Sequence, residues 1–287
     1  MIKKIKFTTL LIFVMLLILT ANAEYVGAQS SSDNYIFGDV VNLRSEPSIS
    51  AESIARLKIG TKIEIISKTE VIYTQNKLSY NWFKIKADID GKEVSGYIWG
   101  GLIAREAIVD DFDGDQSDEI LLLGITSGSD YSTKTAELRL VKDGKIITSV
   151  KLELIDNYEF ESYAGMKKIK RDLSFSIRAE VLSDKINSFS FVRIDVEAPM
   201  YGYFPNYFYL FATDGSSIFQ IASDDSECGE SSAKKIEVKI RDPYVFIRTF
   251  KYLIYDGEGP GETDSQTEVK EDKTLKYKYN GRRFVAQ

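Results

Sequence analysis

An all-β fold is predicted by three features of this chain: short runs with apolar residues at every second position, turn dipeptides spaced between them, and a near absence of helical periodicity. Ile63 and Ile65, and the run FKIKA from Phe83 to Ala87, alternate at period two, as half-buried strands do. Asp-Gly or Asn-Gly turns stand in Ile89–Gly91, Lys142–Gly144, Thr213–Gly215 and Tyr279–Gly281, where hairpins need positive φ. Only ESYAGMKKIKRDL, residues 161–173, hints at a helix.

The elements divide the chain in order. Residues 1–23 hold Lys3, Lys4 and Lys6, an apolar run from Phe7 to Leu19, and Ala21-Asn22-Ala23. This order of basic start, short apolar core and small residues reads as a secretory signal peptide cut after Ala23. About a dozen apolar residues are short for a membrane span, so the expected protein is exported, periplasmic or secreted, with no span after cleavage. No cysteine follows the apolar run for acylation. Residues 24–33 are small and polar, a flexible leader. Residues 34–104 form a first β domain with strands in KIEIISK, WFKIKA and SGYIWGGLI. Residues 105–287 form a larger antiparallel β domain, a sandwich or an incomplete propeller, with strands such as EILLLGI, FSFVRIDVEA, NYFYLFAT and YVFIRTFKYLIY.

Composition excludes several functions. The chain has no histidine, which removes Ser-His and Cys-His nucleophile pairs and the usual zinc-hydrolase sites. Chemistry with carboxylates alone remains open. Cleavage removes three lysines and leaves 34 basic against 43 acidic residues, a net charge of −9. That balance argues against nucleic acid or an anionic membrane as partner. The single cysteine, Cys228, rules out an internal disulfide.

In the first domain, Asn42-Leu43-Arg44, Pro47-Ser48, Gly60 with Ile63 and Ile65, Trp82 with Phe83 and Ile85, and Gly96-Tyr97-Ile98-Trp99 follow one another at characteristic intervals. Together they resemble the bacterial SH3 (SH3b) domain, with tyrosine at 97 where the family carries tryptophan. The resemblance implies a small SH3-like barrel that recognises peptidoglycan or an envelope peptide or protein. The residues have fold roles of their own: Pro47 pre-sets a turn, Gly60 permits positive φ, and the tryptophans supply apolar area. Tyr35, Arg44, Trp82, Tyr97 and Trp99 are the candidate ligand-binding residues, since SH3-like barrels read peptides on aromatic faces.

At the head of the second domain, DFDGDQSDE (residues 111–119) runs into the strand ILLLG. It resembles the calcium loops of FG-GAP-type repeats, whose spacing relates to EF-hand loops. Calcium takes six to eight oxygens, and the resemblance assigns Asp111, Asp113, Asp115, the Ser117 carbonyl and Glu119 as ligands of a structural calcium. Asp110 and Asp118 are then exposed or supporting. Gln116 stands where the pattern has glycine, so positive φ there carries a cost of about 1 kcal/mol. An acidic turn without metal is the other reading of the same residues.

The aromatic run Met200 to Phe211 is a stacking platform or one side of a core. The acidic stretch 255–268 is a solvated loop, with nothing local to raise a carboxylate pKa. KKIKRD, residues 167–172, is a soluble basic face. The combined expectation is a non-enzymatic, exported cell-envelope binding protein. The alternatives are a carboxylate-dependent glycan hydrolase targeted by the barrel, and a scaffold for an envelope protein complex.

Overall fold

The computed structural model describes residues 33–128, 133–155, 176–197, 206–224, 232–255 and 266–287. The signal segment, most of the leader, the helical hint at 161–173, Cys228 and the acidic stretch 256–265 lie outside the described residues. Within them every long element is a strand, and the one helical turn is the 3₁₀ turn Gly100–Leu102. No helix among the described residues is long and apolar enough to cross a membrane.

The first six strands are β1 (Asn34–Tyr35), β2 (Val40–Arg44), β3 (Ser53–Lys58), β4 (Lys62–Gln75), β5 (Leu78–Ile89) and β6 (Lys92–Trp99). They curl into one antiparallel sheet in the order β1-β4-β5-β6-β2-β3. The alternation seen in sequence closes its core: Val41, Leu43, Leu57, Ile63, Ile85, Ala87 and Ile98 point inward with Ile36 and Ile103. Gly60, between β3 and β4, has φ +76°, and a Cβ there would lie 3.2 Å from Val141 of the next sheet. The turn thus needs glycine both for its backbone and for close approach.

Twelve further strands make three four-stranded meanders. The second sheet holds β7 (Glu106–Asp110), β8 (Glu119–Gly128), β9 (Thr133–Lys142) and β10 (Lys145–Ile155). The third holds β11 (Ser176–Ile186), β12 (Phe189–Glu197), β13 (Asn206–Thr213) and β14 (Ile218–Asp224). The fourth holds β15 (Ser232–Arg241), β16 (Tyr244–Tyr255), β17 (Gln266–Tyr279) and β18 (Phe284–Ala286). The first strand β11 neighbours both β7 and β15, and the fourth strand β14 neighbours both β10 and β18. Face-to-face meanders with first strands on one side and last strands on the other follow the blade arrangement of a propeller.

Stacking explains why several strands read as unbroken apolar runs. In β8, Leu121, Leu123 and Ile125 face the third sheet, meeting Val181, Val192, Ile194, Tyr209 and Phe211 in one cluster. The intervening Leu122 turns to the barrel side with Tyr35, Phe37, Ile59, Ala107 and Val141. The third sheet is covered on both faces, its other side packing Phe189, Phe191, Phe208 and Leu210 on Ile240, Val245, Ile247 and Phe284. A strand buried on both faces has no polar face to show. Each such side chain contributes about 1.5–3 kcal/mol of burial.

Candidate metal centre and ligand face

The loop between β7 and β8 is built around two buried anchors. Phe112, the apolar residue between the first two loop aspartates, is buried in the cluster shared by the second and third sheets. Glu119, the first residue of β8, is 0 % exposed. Between them the chain folds onto its own carboxylates. Asp111 accepts hydrogen bonds from the backbone N–H of Gly114 (2.7 Å), Asp115 (3.1 Å) and Gln116 (3.0 Å). Asp113 accepts from Asp115 N–H at 3.0 Å, and Asp115 accepts from Ser117 N–H at 2.9 Å. Gly114 and Gln116 both take positive φ, +80° and +71°, so glutamine does adopt the conformation that the sequence pattern reserves for glycine.

Carboxylate oxygens of Asp111, Asp113 and Asp115 lie within 4.8 Å of one another, a group able to hold a metal ion. Two of them, Asp113 and Asp115, share a side chain from β9. The Lys142 ammonium lies 2.9 Å from Asp113 Oδ2, 2.7 Å from Asp115 Oδ2 and 2.5 Å from Glu119 Oε1. The first two contacts are hydrogen bonds; the third is an ion pair outside hydrogen-bond alignment. Glu119 Oε2 accepts from the N–H groups of Phe112 (2.9 Å) and Asp113 (3.3 Å). The bond to Lys142, helped by those from Ser117, holds the Asp115 carboxyl well below the usual carboxylate range. Asp115 first, then Glu119 and Asp113, push the Lys142 ammonium upward against the opposing effect of burial. The loop is an oxygen cage with a cation in it.

Of the five expected ligands, Asp111, Asp113 and Asp115 come together. Glu119 joins Asp113 and Asp115 through Lys142, while the N–H and Oγ of Ser117 are spent on Asp115. Asp118 is exposed, and Asp110 accepts from Asp111 N–H at 3.0 Å. In the sequence Lys142 belongs only to the Lys142–Gly144 turn. The β8–β9 register brings it there: Leu121 pairs with Leu140 and Ile120 with Val141, and one more step sets Glu119 opposite Lys142.

The barrel candidates separate into two groups. Tyr35, Trp82 and Trp99 are 7, 3 and 6 % exposed. Tyr35 packs where the barrel meets the second sheet. Trp82 and Trp99 are cross-strand partners and join the apolar cluster of the second and third sheets. Trp99 Nε1–H donates to the Tyr73 carbonyl at 2.9 Å. Arg44 and Tyr97 form the other group, paired across β2 and β6 and both half-buried. Arg44 donates to the Ala51 carbonyl at 2.6 Å. The exposed Ile54 reaches the same place, beside Gly96.

The family model of the bacterial SH3 domain matches residues 39–104. The N-terminal barrel is a bacterial SH3 domain, carried on a chain that continues into three stacked meanders. Comparison with curated proteins and with solved structures gives no match.

Proposed function

We propose that this chain is a non-enzymatic, exported cell-envelope binding protein whose barrel recognises peptidoglycan or an envelope peptide. The observation that carries the reading is the bacterial SH3 match over residues 39–104. The ligand face is Arg44 and Tyr97 with exposed Ile49 and Ile54, because Tyr35, Trp82 and Trp99 spend their surface on the joint to the second sheet. Co-sedimentation of residues 24–287 with purified cell-wall sacculi tests it. Saturable pelleting is expected, weakened about tenfold by Tyr97→Ala with an unchanged circular dichroism spectrum. No pelleting, or pelleting indifferent to Tyr97 and Arg44 substitutions, overturns this assignment.

The loop at 111–119 is a structural calcium site in this reading. The donor set fits a hard cation, and Lys142 already stands as a cation among the same oxygens. A calcium ion there displaces the ammonium, so Lys142 lowers the apparent affinity. Calorimetric titration with calcium is expected to show tighter binding to Lys142→Met than to the unsubstituted chain, with a larger calcium-induced rise in Tm. If neither protein binds calcium, the loop is an acidic turn neutralised by lysine alone.

A further inference from the structure

The outer face of the fourth sheet, opposite its apolar cluster, carries a pattern that the net charge conceals. Two rungs run across it, each with an aromatic side chain of β16 between cations of β15 and β17. One is Arg241–Tyr244–Lys278 and the next Lys239–Phe246–Lys276. The Lys276 ammonium lies 3.6 Å from the centroid of the Tyr244 ring, and that of Lys278 lies 5.7 Å from it. Tyr244 and Phe246 are half-buried, with centroids 6.2 Å apart.

Further along the same face the charges are matched. Arg248 pairs with Asp272 through two bonds of 2.8 and 2.5 Å, and Lys235 meets Glu237 at 2.8 Å. At the two-rung end, none of Lys239, Arg241, Lys276 and Lys278 has a carboxylate within 4.0 Å among the described residues. A chain of formal charge −6 therefore presents one end of one sheet as locally positive. Residues two apart on a strand are about 6.7 Å apart. The rungs thus offer cations at a repeat spacing rather than as a single anion pocket, with aromatic surface between them.

We propose that this face binds a linear anionic polysaccharide. Its acidic groups meet the cations of successive rungs, and the C–H faces of its sugar rings lie along Phe246, beside the Tyr244 ring that Lys276 covers. Charge complementarity selects a polyanion, and the repeat selects a polymer. A bilayer would call for apolar side chains projecting past the charges, whereas here the aromatics sit between them and Lys276 covers the Tyr244 ring.

Polygalacturonate is a suitable probe, with dextran as the neutral control and the chain from residue 24 as the protein. Saturable binding to polygalacturonate and none to dextran is expected, with log K falling against log salt at a slope of about −3 for four cations. Lys239→Gln with Lys276→Gln lowers the affinity about tenfold and roughly halves the slope. Lys92→Gln, on the exposed surface of the barrel, leaves both unchanged, and circular dichroism confirms the fold of each variant. Equal binding by the double variant, or an unaltered salt slope, overturns the proposal. So does capture of phosphatidylglycerol vesicles or of a single-stranded oligonucleotide without binding to polygalacturonate, which reassigns the face to that partner.

Discussion

Two groups of aromatic side chains in this molecule lie beside cations and differ in how completely their members are buried. In the joint between barrel and second sheet, Tyr73, Trp82 and Trp99 pack with centroids 5.8–6.4 Å apart, and Arg105 lies 4.6 Å over Tyr80. On the fourth sheet, Lys276 covers Tyr244 and Arg248 covers Phe250 at 4.3 Å, but no further layer of described residues closes over them. The cation-facing Tyr80 and Tyr244 are alike half-buried, but Trp82 and Trp99 are closed over by the neighbouring sheets, and that layer makes the difference. A covered aromatic contributes its whole area to stability, whereas an uncovered one is left for a partner.

The largest effect follows from that difference. Trp99→Ala is expected to cost about 3–5 kcal/mol in urea denaturation, through a cavity and an unanswered Tyr73 carbonyl. Phe246→Ala on the open face should cost under about 1 kcal/mol. Similar losses at both positions would mean that the outer face is covered as well.

A second contrast concerns charge. Glu119 is fully buried and answers two backbone N–H groups as well as Lys142. Glu119→Ala therefore strands Phe112 and Asp113 donors beneath the loop, for an expected loss of about 2–4 kcal/mol at neutral pH. The exposed neighbour Asp118, replaced by alanine, should change the unfolding free energy from urea denaturation by under about 0.5 kcal/mol. Next in size is Gly215→Ala. Gly215 has φ +82°, and a Cβ there would fall 2.3 Å from Asp113 Cβ, so the turn after β13 buttresses the acidic loop. A loss of about 2–3 kcal/mol is expected, and under the proposed calcium reading a smaller calcium-induced rise in Tm as well.

The turns and strand faces were legible because they depend on local rules. Asp-Gly and Asn-Gly positions took positive φ at Gly91, Gly144, Gly215 and Gly281, and Gly60 did so at the end of β3. The acidic loop was legible as a spacing, down to the strained Gln116. What escaped depends on which layer lies over a side chain. Tyr35, Trp82 and Trp99 look alike in sequence whether they line a groove or seal a joint, and only the second sheet separates the two. Lys142 is 23 residues from Glu119 and becomes its neighbour through the β8–β9 register. The basic rungs vanish in a net charge because Asp272, Glu237 and the loop aspartates cancel them elsewhere in the chain.

The smallest effect tests the matched end of the open face. Arg248 holds the Asp272 carboxyl below its ordinary range by a two-bond pairing, against a slight opposing effect of burial. A carboxyl whose folded pKa is depressed adds stability that is fully present above the unfolded pKa. That stability is lost as pH falls through the carboxylate range toward the folded value. Both partners are near half exposed, so salt screens the pair and the contribution is small. Arg248→Gln should therefore leave the urea midpoint at pH 7 little lower, and flatten its decline between about pH 5 and 3. Raising the salt concentration should reproduce part of that flattening in the unsubstituted chain. An acid limb that stays equally steep in the variant would assign the loss of stability to Asp115 instead, whose carboxyl Lys142 holds below its ordinary range.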